Sequence, residues 1–264
     1  MREFDLESTA LGFVAGHTGV CLEAMVKEMN ISTEFVHLSE GITRVNVKAR
    51  SFENADSVTE TDINCTGPDV KTSELNELKQ KLANVTNEDM VVISGSVSPS
   101  IQPQDFAQIV AVAADKGAKV VVDTTGDYLR ASLKSKPFLV KPNEEELYDF
   151  FGANNEVSIE ELALKMQELG AENVLVSLGA EGAILCKKSG EIIKTKAPKG
   201  LVVNTVGAGD SMVAGFVAAI SEDRELETAL EWGICAGSAT AFCEGLASRE
   251  DIKRLLDSFI SEKE

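Results

Sequence analysis

The chain has 264 residues, 44% of them hydrophobic and 5% aromatic, with 43 acidic against 25 basic side chains and a formal charge of −18. That length carries one large α/β domain or two small ones, with a core built from Val, Ile, Leu and Ala. So acidic a chain argues against a broad nucleic-acid footprint and against anionic membranes, and no apolar run is long enough to span a bilayer.

Strand and helix periods alternate almost from end to end. Residues 9–15 read as a buried strand, and 20–29 as a helix with Leu22, Met25, Val26 and Met29 on one side. Met25 and Met29 read as packing residues, as does Trp232, and His17 as a solvated loop histidine. Residues 34–38 and 43–50 look extended, and Leu75, Leu78 and Leu82 space a helix after Ser73. Further strands are expected at 90–94, 119–123, 138–141 and 173–178, and helices at 106–116, 128–133 and 159–169. Segments 182–187 and 191–196 flank Ser189-Gly190 as a hairpin, and the C-terminus reads as two helices, 226–243 and 249–260. Such alternation predicts a mostly parallel sheet with helices on both faces, its ligands beyond the carboxyl ends of the strands.

The five cysteines, Cys21, Cys65, Cys186, Cys235 and Cys243, form no C-x-x-C pair and, with Cys186 and Cys235 in apolar segments, read as reduced, buried and structural in a cytoplasmic protein. Two histidines, His17 and His37, do not make a typical zinc site. There is no G-x-x-x-x-G-K-[ST], and Gly12, Gly16 and Gly19 do not fit G-x-G-x-x-G.

The most informative segment is 202–216, where a β-branched run ends at Gly207-Ala208-Gly209 and an alanine-rich helix begins at Asp210. A strand, a tight turn and a helix N-terminus would aim backbone N–H groups at one spot, and the helix dipole adds positive charge there. An anion held by that turn would lie beside a carboxylate able to take a proton from a hydroxyl. Asp210 is also one of the favoured N-cap residues, so the pattern alone leaves a plain cap open. Elsewhere, alternation places Arg44, Asn46, Lys48 and Arg50 on one face of a strand, a basic strip suited to a phosphate or a solvated edge. Asn143-x-x-Glu146 has the form of a capping box. Ser177-Leu178-Gly179-Ala180-Glu181-Gly182 is either a ligand-approaching loop or a plain turn. The small residues Gly233, Ala236, Gly237, Ser238 and Ala239 suit close helix packing or the wall of a pocket.

Taken with its flanks, Asn204–Ser211 resembles the second signature of the PfkB carbohydrate kinases, the ribokinase-like family. Thr43-Arg44-Val45-Asn46-Val47-Lys48 resembles the T-R-x-N-x-K strand of its sugar-phosphate kinases. Glu60-Thr61-Asp62-Ile63-Asn64 with Gly67-Pro68 resembles their next loop, and Ser94-Gly95-Ser96 their S-G-S turn. Lys141-Pro142-Asn143-Glu144-Glu145-Glu146 is similar to K-P-N-x-x-E, and 177–182 to S-L-G-x-x-G, all in the expected order.

The resemblance implies a ribokinase-like α/β fold with a small, incomplete lid, in one kinase domain over 1–264. It implies ATP-dependent phosphorylation of a ketohexose monophosphate, fructose 1-phosphate first and tagatose 6-phosphate as the alternative. By the same resemblance Asp210 is the catalytic residue, with Gly207, Ala208 and Gly209 as the anion hole. Arg44, Lys48, Asn64 and Ser94 would bind the sugar phosphate, and Ser177, Gly179, Gly182 and Gly237 the nucleotide. Asn143 and Glu146 would place Mg2+ near the triphosphate of ATP, the co-substrate. Asp123, at a strand end, resembles a family residue near the phosphates. The partners implied are small molecules, with no nucleic acid or membrane; lid strands often mediate homodimers in the family, but they are partly missing here, which leaves the oligomeric state open. The family's opening N-P-x-x-D and Gly-Gly-Lys-Gly-x-Asn motifs are not in this sequence, so the chain reads as N-terminally truncated relative to the family. A shortened, non-catalytic nucleotide-binding or interaction module is the alternative of another class.

Overall fold

Strongly β-branched runs form the centre of the sheet, as in Lys119–Asp123, where Val120, Val121 and Val122 are fully buried. The computed structural model describes residues 1–54 and 57–261, without the side chains of 50–60 and 62. The Arg50 side chain and the Glu60 and Asp62 side chains of the Glu60–Asn64 segment therefore lie outside the described residues. In chain order the strands are β1 (Thr9–Ala10), β2 (Phe13–Ala15), β3 (Ser32–Thr33), β4 (Val36–Leu38), β5 (Val47–Asn54), β6 (Ser57–Ile63), β7 (Met90–Ser94), β8 (Lys119–Asp123), β9 (Leu139–Val140), β10 (Asn173–Ser177), β11 (Ala183–Cys186) and β12 (Ile192–Thr195). The helices are α1 (Gly16–Glu28), α2 (Thr72–Leu82), α3 (Pro103–Ala114), α4 (Gly126–Ser132), α5 (Glu144–Phe151), α6 (Ile159–Glu168), α7 (Ala208–Ser221), α8 (Leu226–Ala241) and α9 (Arg249–Ser261).

The chain divides into two compact units. The larger comprises Met1–Glu7, Val85–Ser96 and Pro103–Glu264. Its six-stranded sheet runs in the order β12-β11-β10-β9-β8-β7, with β7 to β10 parallel and the hairpin β11–β12 antiparallel at one edge. Val121, Leu139, Leu175 and Leu185 join Val213, Phe216, Leu230 and Ile234 of α7 and α8 in one buried cluster. The alternate residues Val122, Val140, Val174 and Cys186 therefore point to the opposite face. There the Cys186 thiol donates to Gln167 Oε1 of α6 at 2.8 Å. Helices thus cover both faces, as the alternating periods predict. The first residues of the chain dock on this unit, with Phe4 stacked on Trp232 at 5.8 Å and Arg249 held by Asp5.

α7 and α8 approach backbone to backbone because glycines face the contact. A Cβ on Gly215 would stand 2.5 Å from Trp232 O, one on Gly233 2.9 Å from Met212 O, and one on Gly237 3.0 Å from Ala208 O. The small-sided stretch of α8 is thereby accounted for as helix packing, with Gly237 seated against the first residue of α7.

The smaller unit comprises Ser8–Asn84 and Val97–Gln102. Here β1 pairs with β3 and β2 with β4, both parallel, and β5 with β6 antiparallel. Glu23, almost buried on α1, accepts from Lys27, Thr33 and His37 and so fastens α1 to β3 and β4. Where a single strand was expected over 9–15, Leu11 and Gly12 interrupt it, and Gly12 has a φ of 149°. Strand β5 starts at Val47, so Arg44 and Asn46 lie in irregular chain before it. Met25 and Met29 are 56% and 44% exposed, which corrects their reading as packing residues: α1 turns Gly19, not the methionines, toward β2, where a Cβ on it would stand 3.0 Å from Val14 Cβ. Cys21 and Cys65 are exposed, which corrects their reading as buried, while Cys186 and Cys235 are buried as expected. Among the described residues, no helix is long and apolar enough to cross a membrane.

Candidate active site

The site grows from the carboxyl ends of the parallel strands. Strand β7 ends at Ser94 and β8 at Asp123, and these two residues are register partners. Lys141 follows β9, and Ser177 ends β10, where it bridges to Asn143. Gly95 N donates to Asp123 O at 3.1 Å and Thr124 Oγ1 to Gly95 O at 3.3 Å, which ties the Ser94-Gly95-Ser96 turn to the end of β8.

The α7 turn differs from its expected form in two respects. Residues 202–206 are not a strand; Val203 N and Asn204 N instead donate to Ala241 O, at 2.8 and 3.2 Å. That bond satisfies a carbonyl that α8 leaves without a partner at its end, so the β-branched run follows a helix terminus. The helix itself begins at Ala208, and its N-cap is Gly207, left-handed at φ 80°. Asp210 is therefore the third residue of the helix, and it does not cap it. Ala208 N donates to Thr205 O at 3.2 Å and Ser211 N to Gly207 O at 2.8 Å. The first bond corrects Ala208 as a member of the expected anion hole, because its N–H is spent on Thr205 O; the N–H groups of Gly209 and Asp210 have no carbonyl one turn earlier to bond, and they face outward with the positive end of the dipole. Asp210 is exposed at the same turn.

A cation sits against this turn. A Cβ built on Gly209 would stand 3.4 Å from Lys141 Nζ. Lys141 is 6% exposed, and its ammonium lies 3.1 Å from Asp123 Oδ1. Burial pushes the Asp123 carboxyl above the ordinary carboxylate range, the Lys141 ammonium opposes that shift, and the charges of Asp210 and Glu146 add to it. Three carboxylates and one buried ammonium thus share one electrostatic neighbourhood around an anion-ready helix start.

Asn143 and Glu146 form the reciprocal cap their spacing predicts. Glu146 N donates to Asn143 Oδ1 at 2.7 Å and Asn143 N to Glu146 Oε2 at 2.8 Å. Among the described residues no three His, Cys, Asp or Glu side chains stand close enough to hold a metal unaided. Magnesium bound chiefly by phosphate oxygens and water needs only one or two protein carboxylates, and Glu146, with one oxygen spent on the cap, fits that demand.

The 177–182 loop is fixed at both ends. Ser177 N donates to Pro142 O at 3.2 Å, and Leu178 N to Gly182 O at 2.8 Å. Gly179 faces open space, whereas a Cβ on Gly182 would stand 2.0 Å from Thr195 O. Gly182 also has a φ of 102°, which side chains rarely adopt. Gly182→Ala is therefore expected to cost about 2–4 kcal/mol, strain and overlap together, against about 1 kcal/mol for Gly179→Ala. Urea unfolding of the two variants beside the parent chain checks that order.

The larger unit so brings together Ser94, Asn143, Glu146, Ser177 and the Gly207–Asp210 turn, with Gly237 packed behind it. Arg44, Lys48 and Asn64 lie in the smaller unit. There Lys48 is paired with Asp62 in the β5–β6 register, and Cys65 N donates to Asn46 Oδ1 at 3.2 Å beside Asn64. Lys141 is the residue that motif reading left without a role. Its signal was a lysine closing an otherwise apolar strand, where a cation is buried only with a partner.

The model of the pfkB family of carbohydrate kinases matches residues 4–253. The chain belongs to that family. It is 37% identical to the 1-phosphofructokinase of Bacillus subtilis (strain 168) over 259 residues, which cover 97% of this chain and 82% of that protein. It is 35% identical to the D-tagatose-1-phosphate kinase of Bacillus licheniformis, over 97% of this chain and 81% of the relative. Among solved structures, phosphofructokinase-2 from Escherichia coli in complex with substrates and products superposes with a TM-score of 0.88 at 26% identity, covering 98% of this chain and 84% of the other.

Proposed function

We propose that the chain transfers the terminal phosphoryl group of ATP to the 6-hydroxyl of fructose 1-phosphate, giving fructose 1,6-bisphosphate and ADP. The observation that carries this reading is the start of α7: an exposed Asp210 at its third residue, outward N–H groups at Gly209 and Asp210, and the Lys141 ammonium against Gly209. The hydroxyl oxygen forms the new P–O bond, the bond from phosphorus to the ADP oxygen breaks, and Asp210 accepts the hydroxyl proton. Gly209 and Asp210 N–H groups and the Lys141 ammonium offset charge on the phosphoryl oxygens as it moves from ATP to acceptor. Asp123 holds Lys141 in place. Asn143 and Glu146 are the residues to place Mg2+, which when bound neutralises part of the triphosphate charge. Ser177, Gly179 and Gly182 would line the nucleotide.

Substrate choice rests on relatives named for fructose and tagatose 1-phosphates and on the resemblance of Arg44, Lys48 and Asn64 to sugar-phosphate contacts. An ADP-release assay with fructose 1-phosphate, tagatose 1-phosphate and tagatose 6-phosphate ranks the three by kcat/KM, and a chain that binds ATP but turns over none of them is a binding module. Arg44 would grip the phosphate already on the sugar. Arg44→Ala is therefore expected to raise KM for the sugar phosphate by about ten- to a hundredfold, the range of a charged hydrogen bond, with KM for ATP unmoved. Equal rises in both KM values would remove Arg44 from that role. Self-association belongs to the same reading, and sedimentation velocity measures it.

A further inference from the structure

We propose that Thr240 is a positioning residue, a buried hydroxyl that locks the first turn of α7 to the loop after α8. Thr240 is 1% exposed in the last turn of α8. Its Oγ1 donates to Ser211 Oγ at 2.8 Å and accepts from Ala247 N at 3.3 Å. Ser211 directly follows Asp210 in the same helical turn, and Ala247, 5% exposed, ends the loop. One hydroxyl therefore uses its donor on the turn that presents Asp210 and an acceptor site on a segment remote from it in sequence. Without that acceptor the Ala247 N–H would be buried unpaired, which a folded chain avoids by opening the loop.

The loop is held at a second point on the other side of the turn. Asn204 Nδ2 donates to Glu244 O at 2.9 Å, and Asn204 Oδ1 accepts from Val206 N at 3.1 Å. Between the two fastenings Leu246 lies on the turn itself, since a Cβ at Gly207 would stand 2.7 Å from Leu246 Cδ2. The loop so spans the Gly207 turn from Asn204 to Ser211, and Gly237 against Ala208 O fixes its depth on α8. Packing alone sets that depth; the Thr240–Ser211 bond also fixes rotation of the turn about the α7 axis. Rotation decides where the Gly209 and Asp210 N–H groups and the Asp210 carboxylate point, and small angular errors there are costly in rate.

The lock is a property of the fold, while its catalytic consequence rests on the kinase reading above. Thr240→Val keeps shape and removes the hydroxyl, and Thr240→Ser restores the hydroxyl. Amide hydrogen exchange over 204–212 and 243–248, together with kcat and both KM values, is measured on the full chain. In Thr240→Val, exchange in both segments is expected to quicken about tenfold while the rest of the chain is unchanged. The kcat is expected to fall about tenfold with both KM values within about twofold, as for loss of alignment. Thr240→Ser should restore exchange and kcat together. Unchanged exchange in either segment, quickening spread over the whole chain, or a Ser variant no better than Val overturns the lock. If the parent chain phosphorylates no sugar phosphate, the kinase reading falls and the exchange data alone decide. Should Thr240→Val not fold, Ser211→Ala carries the same test by removing the acceptor: quickened exchange over 204–212 supports the lock, and parental exchange overturns it.

Discussion

Asp210→Asn will leave the chain folded and able to bind ATP, and will lower kcat by about 10²- to 10⁴-fold, the range of a lost proton acceptor. The side chain is exposed at the third residue of α7, so its replacement leaves no cavity. The carboxylate's interaction with the helix dipole is worth about 0.3–1 kcal/mol, too little to unfold the unit. Asparagine keeps the shape and can still orient a hydroxyl, but it cannot take the proton. Removing one negative charge beside the triphosphate should leave ATP affinity unchanged or slightly higher. Single-turnover ADP release and equilibrium ATP binding separate the two effects. A kcat within tenfold of the parent chain would end the assignment of Asp210 as the proton acceptor.

That prediction was legible in the sequence, and the reasons show where legibility stopped. Gly207-Ala208-Gly209-Asp210 encodes a left-handed residue followed by a helix, so the turn that presents Asp210 can be read from four neighbouring residues. Asn143 and Glu146 are equally local, three residues apart in one capping box. The strands β7 to β12 fall where they are expected, and β8 and β10 are the most legible of them, because burial on both faces calls for apolar runs such as Val120–Val122 and Val174–Val176. Residues 202–206 carry the same composition but fold otherwise, since their donors are taken by Ala241 O at the end of α8, a partner remote in sequence. Period and propensity do not see such a partner. The role of Lys141 was hidden in the same way. Its partner Asp123 and its neighbour Gly209 come from different parts of the chain, and the sheet alone brings them together.

The largest stability effect should come from that hidden pair. Lys141→Met keeps length and apolar bulk but strands Asp123, whose side chain is 16% exposed, without its cation. Breaking a buried ion pair on one side costs about 3–5 kcal/mol, because the remaining charge loses its compensation. The carboxyl has an escape, which fixes how the cost varies with pH. Burial and the charges of Asp210 and Glu146 already raise the Asp123 pKa, and losing the opposing ammonium raises it further. A carboxyl with a raised folded pKa binds its proton more tightly when folded than when unfolded, so stability rises as pH falls toward the ordinary carboxylate value and is lost as pH rises through the folded value. The deficit of Lys141→Met should therefore be greatest above neutral pH and shrink on acidification. Adding Asp123→Asn removes the stranded charge, and the double variant should recover most of the lost stability while both forms turn over slowly. Urea unfolding at pH 8 and pH 5.5 tests all three statements. An equal deficit at both pH values, with no recovery in the double variant, would mean that Lys141 stabilises the site by packing and that its charge is dispensable to the fold.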